Sequence, residues 1–141
     1  MTALNDLLLT TAKKYVGTHE LSGTAHNPLI LRWFADAGST WIHDDETAWC
    51  AAFACGVAQE AGAYNPRTVR AKDWMAIAPK HGEAIHTATQ LQPGDVVVLS
   101  RGPGLFHVTF FHDLAPGGQL RCLGGNQANR VQVSSYDASR F

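Results

Sequence analysis

Hydrophobic periodicity changes partway along this chain, and that change limits the folds open to it. Up to Ala76 the apolar residues recur at three- and four-residue intervals, the pattern of amphipathic helices. From Asp95 onward they form short runs separated by Gly- and Pro-rich turns, the pattern of strands. Helices followed by a run of antiparallel strands imply an α+β fold, with N-terminal helices packed on a small antiparallel sheet. The chain has 141 residues with no repeat, linker or low-complexity tract, so one domain over residues 1–141 is expected.

The elements follow from local signals. Residues 4–15 read as a first helix with Leu4, Leu7, Leu8 and Ala12 on its inner face, stopped by Gly17. Asn27-Pro28 opens a second over residues 29–37, and Gly38 ends it. A polar loop over residues 40–46 leads into a third helix. That helix starts at Thr47 or Ala48, runs to Ala61 and stops at Gly62. Its stripe is Cys50, Phe53, Ala54, Val57, Ala58 and Ala61. A short helix is expected over residues 69–76, ended by Pro79. Strands are expected at 95–99, 106–112, 119–123 and 131–134, with Gly124-Gly125-Asn126-Gln127 breaking the third.

Charge and composition exclude several functions. The formal net charge is −1 and no basic cluster stands out, which speaks against nucleic-acid binding. The N-terminus has no basic region ahead of its apolar stretch, and Asn5 and Asp6 interrupt that stretch, so it does not read as a signal peptide. No segment approaches the ~20 apolar residues of a membrane span. Synthesis in the cytoplasm without a signal peptide is therefore expected. The three cysteines, Cys50, Cys55 and Cys122, are an odd number without zinc or CxxC spacing. They read as two small buried hydrophobes and one working thiol, with a Cys55–Cys122 pair left open.

Cys50 stands where the polar loop becomes a helix. A helix N-terminus places partial positive charge beside a thiol and lowers its pKa, and its free N–H groups can hold an oxyanion. His107 follows the Gly102-Pro103-Gly104 loop on a strand, sharing a face with Thr109 and Phe111. It is the candidate base. Asn126 is the candidate third residue, orienting the imidazole, with Gln127 in reserve. Taken alone, the tetrapeptide holding Asn126 reads more readily as a turn. Glu46 and Trp49 are expected to support the cleft or the substrate. An acid so near the thiol would raise its pKa, so Glu46 is not its activator.

These segments together carry a resemblance. They are residues 12–17 with Glu20, Asn27-Pro28, residues 45–53 around Trp49-Cys50, residues 93–99, Phe106-His107-Val108 and residues 123–127. In this order the chain resembles the small phage-associated peptidoglycan hydrolases related to CHAP amidases and NlpC-type endopeptidases. The resemblance implies a papain-like fold, a cysteine nucleophile at Cys50 and a base at His107. It also implies acyl transfer through a thioester, with no metal or cofactor. CHAP domains usually carry a Glu and then an Asn on the strand after the histidine's. Here Asn126 matches the Asn, and Gly124 stands in the acid's place. The implied substrate is peptidoglycan, cut as an N-acetylmuramoyl-L-alanine amidase or as a stem-peptide endopeptidase. The implied setting is a monomeric enzyme, either an endolysin-like bacteriophage lysin, a virion or tail-associated hydrolase, or a secreted toxin domain, delivered to the wall by a holin, a phage tail or a secretion system.

Two other readings have residues behind them. A lysozyme-like glycosidase would need paired carboxylates, which Glu20 and Glu46 would supply. A non-catalytic cell-wall binding module would need neither thiol nor base. His19-Glu20 begins like a zinc-protease motif but lacks the second histidine.

Overall fold

The structure, a computed structural model, describes residues 3–20, 27–39, 49–78 and 80–141. Three helices, α1 (Ala3–Lys13), α2 (Pro28–Asp36) and α3 (Cys50–Ala61), precede four strands. The strands are β1 (Val96–Gly102), β2 (Leu105–Leu114), β3 (Leu120–Gln127) and β4 (Arg130–Tyr136). They pair antiparallel in the order β1-β2-β3-β4, so the sheet is a meander and the fold is α+β.

Helix boundaries follow the sequence signals closely. Asn27 caps α2 by accepting the Leu29 N–H at 2.9 Å, and Pro28 needs no donor at the first turn. Gly62 ends α3 in the left-handed conformation at φ 77°, and the Ala63 N–H returns to the Ala58 carbonyl. The polar loop over residues 40–46, with Glu46 in it, and the expected helix start at Thr47 or Ala48 lie outside the described residues, as does Pro79.

Three expectations need correction. The inner face of α1 is not Leu4-Leu7-Leu8-Ala12, since Leu4 and Leu7 are exposed while Leu8, Leu9, Thr11 and Ala12 are buried. The cause is Asn5, whose carboxamide donates to the Pro93 carbonyl and to Asp95 Oδ1. This polar residue belongs to the buried stripe and turns the helix by about one position. Gly94 permits the contact, because a Cβ there would lie 2.3 Å from the Asn5 carbonyl oxygen. The short helix is a 3₁₀ turn, Ala71–Ala76, entered through the Thr68 hydroxyl, which accepts from the Arg70 N–H and donates to Asp73. Finally, Gly124 to Gln127 do not break β3. The strand runs through them with a bulge between Gly124 and Gln127.

The sheet is covered on both faces. On one face Val108, Phe110, Leu123 and Val131 pack against the helices, with Phe53 of α3 edge-on to Phe110 at 6.4 Å. On the other, Val97, Leu99, Phe111, Leu120 and Cys122 gather Leu91, Tyr136 and Phe141. Helix α3 is buried all round from Cys50 to Ala58, which a single apolar stripe does not convey. Gly56 lets α2 approach it, since a Cβ there would meet the Trp33 ring at 2.3 Å.

Candidate active site

Cys50 is the first residue of α3, and Trp49 before it is fully buried. The Trp49 indole N–H donates to Glu20 Oε1 at 2.6 Å, and its ring stacks on Trp33 at 5.9 Å. The helix start is therefore pinned from beneath. Trp49 supports the site and offers no surface to a substrate. Glu20 is committed to this anchor, and Glu46 lies outside the described residues, so no carboxylate pair of the glycosidase kind is assembled among the described residues.

The thiol meets the sheet at a gap. The β2–β3 ladder begins at Phe110↔Leu123, so residues 107–109 of β2 have no partner on β3. Phe111 exchanges both its backbone hydrogen bonds with the β1 side, through Asp95 and Gly94. By alternation, the even residues of β2 turn their N–H groups away from β1, and the Val108 N–H enters the gap. There it favours the charged form of the Cys50 thiol, as do the backbone N–H groups of Ala51 and Cys50 itself. His107 is adjacent to Val108 but belongs to the opposite sheet face, with Thr109 and Leu99. Helix and histidine are thus not simply stacked on one face. The Cys50 end of the helix reaches the strand that carries His107 where the sheet opens between β2 and β3.

The third position is where sequence and structure differ most. The hydrogen bond expected from Asn126 to the imidazole comes from Gln127. Its Oε1 lies 3.0 Å from His107 Nε2 and accepts from the Thr109 hydroxyl at 2.9 Å. Its Nε2 donates to the Cys122 carbonyl at 3.1 Å and the Gln132 carbonyl at 2.7 Å. Both carbonyls require a donor, so the amide orientation is fixed. Oε1 can only accept, so His107 Nε2 carries the proton and Nδ1 is the basic nitrogen. The Tyr136 hydroxyl, 3.4 Å from the same nitrogen, is a second neighbour of the ring.

The bulge explains the exchange. Asn126 sits at φ 57°, a left-handed conformation that asparagine tolerates, and its side chain is half-buried. The bulge carries Gln127 back onto the face of His107 and Thr109. A Cβ at Gly124 would lie 2.4 Å from Thr109 Oγ1 and 2.7 Å from Gln127 Oε1. The glutamine carboxamide therefore fills the space that a side chain at position 124 would need. Gly125 serves the other face, where a Cβ would meet Phe53 at 2.6 Å and the Trp49 ring at 2.7 Å.

Electrostatics correct one further expectation. Burial pushes the Cys50 thiol above its ordinary pKa, outweighing the N–H groups of Val108 and Ala51 and the positive charge of Arg101. Burial also holds His107 below the ordinary imidazole value, against the Gln127 hydrogen bond, and the charges of Arg101 and Arg140 act in the same direction as burial. Burial thus favours the neutral form of each group. The helix N-terminus alone does not produce a thiolate.

Sequence reasoning missed Thr109, Tyr136, Arg101 and the Val108 N–H. Thr109 was legible in principle, since it shares the face of His107 two residues on. No local signal marks Tyr136 or the gap. No helix among the described residues is long and apolar enough to cross a membrane. No curated protein and no solved structure matches the chain significantly. The CHAP domain family matches residues 42–126, a span that contains Cys50, His107 and Asn126. With more than half of its length matched, the chain belongs to the CHAP domain family, a papain-like family of peptidoglycan hydrolases and amidases.

Proposed function

We propose that this chain forms a single domain that cuts an amide bond of the peptidoglycan peptide stem, with Cys50 as nucleophile and His107 as base. Gln127 is the residue that orients the imidazole. The observation that carries this reading is the fixed tautomer. Gln127 holds the Nε2 proton, and the basic Nδ1 is left for the Cys50 thiol, whose charged form the neighbouring Val108 N–H favours.

The reaction follows from that arrangement. As the Cys50 sulfur attacks the scissile carbonyl, its proton passes to His107 Nδ1 and an S–C bond forms. The carbonyl oxygen becomes an oxyanion beside the free N–H groups of the α3 start. Collapse breaks the C–N bond, and the amine leaves with the proton from Nδ1. Water then attacks the thioester, gives a proton to Nδ1, and restores the thiol as the S–C bond breaks. Asn126, placed in the bulge, shapes the turn that delivers Gln127. An endolysin-like role, with delivery by a holin, a phage tail or a secretion system, belongs to this reading.

Purified peptidoglycan incubated with the protein should yield muropeptides with new amino termini, and mass spectrometry of these identifies the bond. Cys50→Ala and His107→Ala should each reduce product release at least ~10³-fold while the folded spectrum persists. Retained lysis by Cys50→Ala would overturn the mechanism.

A further inference from the structure

The chain that leads into His107 also forms the wall of a groove. The 3₁₀ turn Ala71–Ala76 faces the tip of the β1–β2 hairpin, and between them lies a cavity of about 650 Å³. Gly104, Leu105 and Phe106 form one side, Lys72 and Met75 the other. Met75 and Leu105, each 60% exposed, are the most exposed of the large apolar residues described. Both open onto this groove, so its floor offers apolar surface to solvent.

Its charge is one-sided. Asp73 is the acid in the lining, and it is occupied by Arg70 at 2.8 Å and by the Thr68 hydroxyl. Lys72 reaches over the Phe106 ring, with Nζ 6.0 Å from the centroid. Arg101 is exposed in the bulge where the β1–β2 ladder skips from Ser100 to Gly102, opposite Leu105 and Phe106. Its positive charge favours the thiolate of Cys50 and disfavours the protonated form of His107, so it lies within electrostatic reach of both. A cationic rim over an apolar floor suits a peptide that bears carboxylates and short aliphatic side chains. The chain as a whole does not share this bias, since its formal net charge is −1.

We infer that this groove binds the carboxylate-bearing peptide stem on the amine side of the scissile bond, with Lys72 and Arg101 reading its carboxylates. The side follows from the proposed chemistry, on which this assignment rests. His107 protonates the departing nitrogen, so the chain continuing from that nitrogen runs past His107 toward Phe106 and Leu105.

The test uses the Cys50→Ala protein, in which binding is separated from turnover. A synthetic stem tetrapeptide with a free amino terminus and free carboxylates is titrated against it and followed by backbone amide shifts. Shifts should centre on Lys72, Leu105 and Phe106. Adding Lys72→Glu or Arg101→Glu should raise the dissociation constant about tenfold. Both side chains are exposed, so the variants should keep the thermal midpoint of the parent. The fully amidated tetrapeptide should bind the parent and both charge-reversed proteins alike. Shifts confined elsewhere, or an unchanged dissociation constant in both variants, would overturn the groove assignment even with wall lysis by the wild type intact. Failure of the hydrolase reading itself would instead appear as undiminished lysis by Cys50→Ala.

Discussion

At the scale of single residues, the hydrogen-bond pattern around His107 carries the most information. Gln127 makes four bonds, and two of them, to the Cys122 and Gln132 carbonyls, dictate what the other two must be. Gln127→Ala should lower kcat about 10- to 100-fold with little change in KM, the size of loss seen when the partner orienting a functional histidine is removed. A loss confined to KM would show that Gln127 contacts substrate instead. The resting protonation makes a separate prediction. Iodoacetamide reacts with thiolate, and burial raises the Cys50 pKa, so the alkylation rate should keep rising beyond about pH 8.5. A rate already level between pH 5 and 8 would mean a pre-formed thiolate–imidazolium pair. His107, held low, should stay a competent base down to below about pH 6.5, and activity should fall only as pH drops through its lowered pKa. The placement of Cys50 at a helix start and of His107 on a strand was legible because the flanking turn signals and periodicity are local. Gln127 was harder to read as the ring's partner. Its approach depends on a bulge, and nothing in Gly124-Gly125-Asn126-Gln127 distinguishes a bulged strand from a turn.

At the scale of elements, the helices were legible to within a few residues because caps and stops are local. Asn27, Gly38 and Gly62 each act within one turn. The facing of α1 was not legible. Asn5 belongs to the buried side by virtue of partners nearly ninety positions away. Strand β3 shows the same limit, since paired glycines weaken a strand on local grounds alone. Here each removes a side chain from a different face, and Gly125 lets the first turn of α3 rest on the strand. Gly125→Ala should therefore destabilise the fold by about 1–3 kcal/mol through overpacking against Phe53 and Trp49, two groups with little room to move. A reduced denaturant midpoint at unchanged m-value is the expected measurement; an unchanged midpoint would show that α3 can shift away from β3.

At the scale of the molecule, the change of periodicity near the middle of the sequence correctly gave helices followed by an antiparallel meander. It did not give the opening between β2 and β3, a departure from regular pairing that no pattern encodes. The candidate site lies at that opening, and its two proposed reacting groups, Cys50 and His107, come from opposite halves of the chain, so neither half holds both. The buried stack of Trp33 and Trp49 adjoins Cys50 in sequence, and the Trp49 indole N–H donates to Glu20, which follows the first helix. That arrangement gives the protein a built-in optical clock. Tryptophan emission should move to shorter wavelength when the stack is buried, and lytic activity should return in the same kinetic phase after dilution from denaturant. Emission that recovers well before activity would place closure of the β2–β3 gap around the thiol as a separate, later event.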